Sequence, residues 1–549
     1  MLKKDYSKLE KADLLKVIEK LESRKKYGLV WDEEKVKEKF EKDAENALPV
    51  LEEVKSKEIK TDLNKPTNIL IEGDNYHALS VLNFTHQGKI DVIYIDPPYN
   101  RGTNDFKYND RFVEKEDSYR HSKWLSFMDK RLRLAKKLLK DNGVMFISID
   151  DNEYANLKLL CDEIFSEDLV ETYIWCLQDK TEGSFVKTSK STVRKEHEYI
   201  LACFKSQVKF GKYKTEKNFS EGSFLNPDDD PKGSWFSGNI SRNGIKSTTG
   251  SKYFTIKTPT GKKYTRNWTL SKKEYEDLVS KGEIYFSKNG DGVPRLKIYK
   301  SSETYSIQSS LFTDVHTSIT GKNELKDIFD GEVPFDYPKP SDLIKRLIEI
   351  STPSNKSIIL DFFAGTGTTG YAVLKMNKDD NGNRTFILCT NDEEKICSEI
   401  CYPRVKKAIY GYEKLKGDKV KELGGNLKYF KTKFVKNASN KDDFKIRITK
   451  ECTEMLCLRE GVFDEIKKAN NYQIFQQNNK TLAVYYSLDH KDLNTLKNEL
   501  DKISGKKILY CFTLDPLGLD KNNFLEWKNI SLEPIPQKIL DIYKQIYEY

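Results

Sequence analysis

The chain has 549 residues, of which 37% are hydrophobic and 12% aromatic, enough to build several cored domains. No run of 18 apolar residues occurs, so no membrane-spanning helix and no membrane partner are expected, and the opening MLKKDYSKLEK lacks a secretory apolar segment. The net charge is +9, and residues 205–310, with 20 Lys+Arg against 11 Asp+Glu, hold an excess of the same size. Basic charge gathered in one block points to a polyanionic partner, with a general lysine bias as the competing reading.

Nine cysteines are scattered without the spacing of a disulfide framework, which suits a reduced, cytoplasmic protein. Cys397 and Cys401 are helical neighbours, but no second ligand pair accompanies them. Core packing is expected there, not a metal.

Residues 1–55 are charged and expected to be helical, with Leu14, Ile18 and Leu21 at helical spacing. Residues 56–204 read as the first part of an α/β core. TNILIEG forms a buried strand, Asp74 is placed to cap a helix carrying Ala78, Leu79 and Leu82, and KIDVIYID (89–96) is a second strand running into PPYN. An amphipathic helix over 118–140, with Trp124, Leu125, Met128, Leu132 and Leu139 on its apolar side, is expected to stop at Asp141-Asn142-Gly143. GVMFISID (143–150) and EYILACFK (198–205) are further strands. Residues 205–330 change texture, with Trp235, Tyr253, Phe254, Tyr264 and Trp268 among Gly, Ser, Thr, Asn and Lys; they read as an inserted β-rich domain. The βα rhythm returns over 331–425, and 426–549 reads as a small α/β C-terminal module. Its closing helix aligns Ile539, Ile542, Tyr543 and Ile546, a stripe that must be buried on the tail's own strands or on another subunit. Alternating strands and helices imply a largely parallel sheet covered on both faces.

Two motifs carry chemistry. Asp96-Pro97-Pro98-Tyr99 ends a strand, where open α/β sheets bind ligands. An aromatic amino group is a poor nucleophile because its lone pair is delocalised. A carboxylate (Asp96) and a carbonyl (Pro97) accepting its two hydrogens would favour a more tetrahedral nitrogen, and Tyr99 could stack on a base flipped out of a duplex. An ordinary proline turn is the bland reading. The second motif is Asp361-Phe362-Phe363-Ala364-Gly365-Thr366-Gly367-Thr368-Thr369-Gly370. Its glycines suit a tight strand-to-helix turn and close ligand approach, and fit GxGxxG, a weak signal alone. Asp361 would repel a pyrophosphate and welcome an ammonium, which favours S-adenosylmethionine over a dinucleotide. Asp74, after Gly73 at another strand end, is either a plain helix cap or a further cofactor contact.

In this order, these elements resemble the beta class of DNA amino-methyltransferases and, within it, the modification subunits of Type III restriction systems. The likeness rests on IEGDNYHAL, YIDPPYNRGTNDFKYND, FISIDDNE, KPSDLIKRLIE, DFFAGTGTTG and YPRVKKAIYGY, with NPDDDPKGSW and VPRLKIY between. It implies a Rossmann-like S-adenosylmethionine-dependent methyltransferase sheet with circularly permuted motif order, and a target-recognition domain filling the 265 residues between Asp96 and Asp361. It further implies Asp96, Pro97, Pro98 and Tyr99 as the catalytic pocket, Asp361, Phe363, Ala364, Gly365, Gly367 and Thr368 with Asp74 around the cofactor, and Lys339 in the segment that closes the cofactor site. The ribose contact departs from the family pattern: FILCTNDEE puts Cys389 near that place, with Asp392 and Glu393 further on. Arg242, Lys246, Arg266 and Lys107 are the DNA-contact candidates. The implied activity is methylation of adenine N6 in duplex DNA by a homodimer, with an ATP-dependent restriction subunit as a possible partner. Cytosine N4 methylation, methylation of RNA or a protein amide, and a degenerate DNA-binding subunit are the alternatives.

Overall fold

The computed structural model describes residues 47–549 apart from 63, 103–104, 109–110, 178–194, 208–211, 216–223, 243–249, 300–303, 353, 415–416, 439, 516–517 and 548–549, with residues 11, 14–15, 29 and 31 before them. The expected N-terminal stripe thus falls outside the described residues at Ile18 and Leu21. Residues 1–211 and 308–549 form one compact unit, and 212–307 form a second.

The first unit is built on a ten-stranded mixed sheet. In chain order its strands are β1 (Ala47–Glu53), β2 (Thr67–Glu72), β3 (Ile90–Ile95), β4 (Leu139–Ile149), β5 (Val170–Cys176), β6 (His197–Phe204), β7 (Leu311–Phe312), β8 (Ile358–Asp361), β9 (Thr385–Thr390) and β10 (Asn426–Lys436). They lie in the order β1-β10-β2-β9-β8-β3-β4-β6-β5-β7. From β10 to β4 every neighbour is parallel, and their interiors are apolar runs buried on both faces. The carboxyl ends of β2, β9, β8, β3 and β4 therefore open onto one edge. β6 runs antiparallel to β4, with Tyr199 opposite Ile149, so the start of β6 reaches the same edge.

Helices α1 (Asn75–Thr85), α2 (Arg120–Leu138), α3 (Tyr154–Phe165), α4 (Ser318–Ile328), α5 (Ser341–Ser351), α6 (Thr368–Asp380) and α7 (Tyr402–Tyr410) connect and flank these strands. Among the described residues no helix is long and apolar enough to cross a membrane.

Three expectations need correction. Residues 47–53 are not helical: ALPVLEE is an edge strand, antiparallel to β10, and an edge tolerates Pro49. β10 itself belongs to the central sheet, not to a separate tail beginning at 426. Asp141-Asn142-Gly143 does not stop α2, which ends at Leu138; those residues lie inside β4, where the register against β3 shifts.

The remaining tail adds a five-stranded sheet, β11 (Asp464–Lys468), β12 (Tyr472–Gln477), β13 (Lys480–Tyr485), β14 (Lys506–Phe512) and β15 (Ile530–Ile535) in that order, with helices α8 (Lys441–Glu451), α9 (Thr453–Glu460), α10 (Leu493–Asp501) and α11 (Gln537–Tyr547). α9 and α11 both pack on α1. α1 is buried from Tyr76 through Thr85, and its polar Ser80 and Asn83 donate to the carbonyls of Tyr76 and Leu79. The stripe on α11 is spent on this contact: Ile539, Tyr543 and Ile546 are buried in the main core, and the Tyr543 hydroxyl donates to the Pro49 carbonyl. Ile542, the fourth residue of the stripe, is partly buried against the same core.

The second unit is narrower than the 205–330 block, because Leu311–Phe312 returns to pair with β5. Within it, Trp235–Asn239, Arg295–Tyr299 and Ile284–Tyr285 form a three-stranded sheet, and Tyr253–Lys257 pairs with Lys263–Asn267 as a hairpin. Trp268 and Ile256 fill its core. The two quoted stretches meet there: Lys297 of VPRLKIY sits between Asp228 and Asp230 of NPDDDPKGSW, 2.5 Å from each, and Trp235 donates to Asp228. Those residues hold the domain together.

Replacing Ile539 with Ala should lower stability by about 2–4 kcal/mol, the usual cost of emptying a fully buried aliphatic site. Deleting 430–549 should remove half of β10 and uncover α1, giving aggregated protein. Denaturant unfolding and light scattering check both; a well-folded truncation would show that the tail is a separable appendage.

Candidate active site

β3 and β8 are adjacent and parallel, with Val92 opposite Ile359 and Ile93 opposite Leu360. Asp96 and Asp361 therefore emerge side by side at the sheet edge.

The turn after β3 is rigidly held. The Pro98 carbonyl accepts from Trp124 Nε1 at 2.7 Å. Asn100 takes a left-handed conformation (φ 56°), a costly state for a non-glycine residue. Its side chain donates at 2.5 Å to Glu153, a fully buried carboxylate that also contacts His121 and Asn156. Above this turn lies a compact polar cluster. Lys339 Nζ donates to Asp96 Oδ1 and Oδ2 at 2.8 and 2.9 Å and to the Tyr99 hydroxyl at 2.8 Å, and lies 3.5 Å from Glu198 Oε2. The Tyr99 hydroxyl is 2.9 Å from Asp96 Oδ1 and 3.1 Å from Glu198 Oε2. Arg101 lies over the Tyr99 ring at 5.0 Å and pairs with Asp150 at 2.9 Å. Burial alone would lower the Lys339 pKa, but Asp96 and Glu198 outweigh it and keep the ammonium above its ordinary value. Burial, reinforced by Asp96 and Glu198, pushes the Tyr99 phenol far up, so it stays neutral.

The glycine loop follows β8. Asp361 is buried and accepts from Thr369 Oγ1 at 2.5 Å and from the Phe363 amide at 3.0 Å. It has no cationic partner among the described residues. Burial pushes its carboxyl up to about 7; the two hydrogen bonds oppose this and the charge on Asp96 adds to it. Gly367 sits at φ 78°, where a Cβ would meet Cys401 Sγ at 3.0 Å. Gly365, at φ 48°, would have only the Phe363 carbonyl, 3.9 Å away, near a Cβ. Buried Arg404 on α7 braces the loop from behind, donating to Thr366 and Thr368 at 2.9 and 2.8 Å and pairing with Glu324 at 3.3 Å. Glu324 in turn accepts from Ser341, two residues beyond Lys339. Asp74 caps α1 by accepting from the Tyr76 amide, and its carboxylate is partly exposed. Asn75 ties α1 to the loop through the Phe362 carbonyl at 3.1 Å.

The predicted residues divide accordingly. Asp96 and Tyr99 are brought together, and Asp74, Phe363, Ala364, Gly365, Gly367 and Thr368 gather around Asp361. Among the described residues Lys339 makes its hydrogen bonds in the Asp96 pocket and not to the glycine loop, to which Ser341, Glu324 and Arg404 connect its segment. Lys107 is not a free cation, since it pairs with Glu393 at 2.7 Å. Arg266 is half-buried between Tyr264 and Trp268, contrary to its reading as an exposed contact. Arg242 is exposed, and Lys246 lies outside the described residues. Cys389 is buried with its sulfur toward the Gly73 carbonyl, while Asp392 accepts from the Ser398 amide. Sequence reasoning missed Glu198 and Arg404. A charge opening an otherwise apolar strand, HEYILACF, was the available signal for the first.

The profile of the N6/N4 family, described as DNA methylase, matches residues 90–417. The StyLTI Mod subunit of a Type III restriction-modification enzyme from Salmonella typhimurium is 36% identical over 350 residues, covering 59% of this chain and 52% of that protein. The EcoPI Mod subunit of Escherichia phage P1 is 32% identical over 381 residues, 59% of this chain and 58% of its own length. The chain thus spans little more than half of these two relatives. The Type II methyltransferase M.KpnI of Klebsiella pneumoniae is 32% identical over 369 residues, 62% of this chain and 84% of its own. The profile takes in both the Asp96 turn and the Asp361 loop, and the chain belongs to the N6/N4 DNA methylase family.

Proposed function

We propose that the chain is a site-specific DNA methyltransferase that moves a methyl group from S-adenosylmethionine to adenine N6 in duplex DNA, as the modification component of a restriction-modification system. The observation that carries this reading is the β3–β8 pairing, with an acceptor cluster for an amino group at one strand end and, at the other, a glycine loop whose buried carboxyl has no cationic partner among the described residues. That carboxyl suits a cationic ligand, and the space beside Gly365 suits close approach of one. Asp74, Asp361, Phe363, Ala364, Gly365, Gly367 and Thr368 would hold the cofactor, which supplies an electrophilic methyl on sulfur. Asp96 and the Pro97 carbonyl would accept the two N6 hydrogens and direct the lone pair at that methyl. Asp96 would take up the proton that N6 sheds on methylation and pass it to water. Positioning supplies much of the rate. The second unit, with Arg242 and Lys246, would select the site. By likeness to Mod subunits, a homodimer and an ATP-dependent restriction partner complete the proposal.

Base-resolved mapping of DNA modified by the pure protein tests substrate, base and site together; absence of methylated adenine would refute the reading. Asp96→Ala should cut transfer by at least about a hundredfold, the scale of losing one aligned polar group, with cofactor affinity by calorimetry unchanged. Gly367→Val should do the reverse, weakening the cofactor first.

Cofactor affinity should also depend on pH. A cationic ligand requires ionised Asp361, whose free-state value is about 7. Below that, binding must release a proton, so affinity should fall by up to about tenfold per unit between pH 7 and pH 5.5, where the ligand's own amino group stays charged. Asp361→Asn should bind more weakly and give a flat profile. A flat profile in the unaltered protein would remove the ammonium from Asp361.

A further inference from the structure

We propose that Lys339 holds the place of the target amino group in the resting pocket and that Glu198 receives the lysine when the base arrives. This makes both positioning residues for the reaction, and it rests on the methyl-transfer reading above.

The hydrogen bonds of Lys339 are those the adenine amino group needs. Its ammonium engages both oxygens of Asp96 at 2.8 and 2.9 Å. While it stays there, the ammonium donates to each Asp96 oxygen, and the neutral Tyr99 hydroxyl is held in the same cluster. Base and lysine therefore compete for one carboxylate. The backbone at Lys339 is closely packed on one side. Its chain segment lies against Gly321 on α4, where even a Cβ would meet the Pro338 carbonyl at 2.3 Å. Its ammonium cannot lose its counter-charge without a partner, because the side chain is only 8% exposed and an unpaired buried charge is strongly destabilising.

Glu198 resolves both constraints. Its Oε2 lies 3.5 Å from Lys339 Nζ, beyond a good hydrogen bond but within a swing of less than about 1 Å. Its other oxygen is 4.0 Å from Arg101. A larger rotation of the lysine side chain toward Glu198 would keep Lys339 paired and free Asp96 for N6. The net charge of the cluster is unchanged, so base admission becomes an exchange of partners within a fixed frame.

The test is a double-substitution cycle on the full chain, using a duplex with 2-aminopurine at the mapped target adenine and, in parallel, the unmodified duplex. Glu198→Gln should lower the base-extrusion fluorescence and raise KM for DNA about tenfold, the scale of weakening a buried charge pair, with cofactor affinity unchanged. Lys339→Met should raise extrusion above that of the unaltered protein even without cofactor. In the Lys339→Met background, Glu198→Gln should cost less than about twofold, since no ammonium remains to be received. Lys339→Gln, neutral and of similar reach, serves in the same cycle if the Met variant does not fold. Additive penalties, or no gain in extrusion from either lysine variant, would overturn the proposal while leaving methyl transfer intact. If the unaltered protein methylates no adenine, the underlying reading falls first and this inference with it.

Discussion

Parallel pairing of β8 with β3 is the constraint on which the site depends. Hydrogen bonds of Ile359 and Leu360 across to Val92 and Ile93 fix where two loops 265 residues apart in sequence begin. Everything polar at the sheet edge follows from that register. A slip of one residue would reverse which face each side chain meets, turning Asp361 away from the loop it now organises through Thr369 and the Phe363 amide. The antiparallel β6 adds what parallel strands alone would not. Running the other way, it delivers its first residues, and with them Glu198, to the edge where its neighbours end.

The frame is stiffened from behind as well as within. α1 begins at Asp74 beside the cofactor loop and is enclosed along its whole length by α2, α9, α11 and β1. Its N-terminal Asn75 bonds the Phe362 carbonyl and accepts from Arg131, a fully buried cation stacked 3.6 Å from the Phe127 ring. The tail therefore packs on the helix whose cap borders the glycine loop. Each link in this path is a packed or hydrogen-bonded contact in the interior, where density transmits displacement.

Strands from β2 to β4, the helices between them and the two motifs were legible because local apolar pattern and turn chemistry agree there. KIDVIYID and SIILDFF can be little other than buried strands, and Gly367 needs the left-handed turn it occupies. What was not legible is contact across long sequence separation. ALPVLEE lies between charged stretches, and only the partner strand 426–436 reveals it as an edge strand. The α11 stripe was visible as apolar, but its target, α1, is more than 450 residues away. Lys339 shows the limit most clearly. KP before a helix marks a functional segment, yet whether its ammonium turns toward the cofactor loop or the Asp96 pocket depends on how α4 and α5 are packed.

The two acidic residues at the β3 and β8 ends carry opposite states in the same small volume. Asp96 is paired with a cation of the protein's own, while Asp361 is buried and accepts from a hydroxyl and an amide. An ammonium reaching Asp361 would lower the potential that its carboxyl and Asp96 impose on each other. At the other end, the internal cation must yield before an uncharged amino group can be received. The loop and the pocket are joined by Thr366 and Thr368, Arg404, Glu324 and Ser341, all in direct contact and ending two residues from Lys339. The two sites are thus joined by a continuous run of contacts. Such a route would let the pocket stay closed on its own lysine until the methyl donor is in place, which guards a reactive carboxylate from solvent and admits the base only when transfer can follow.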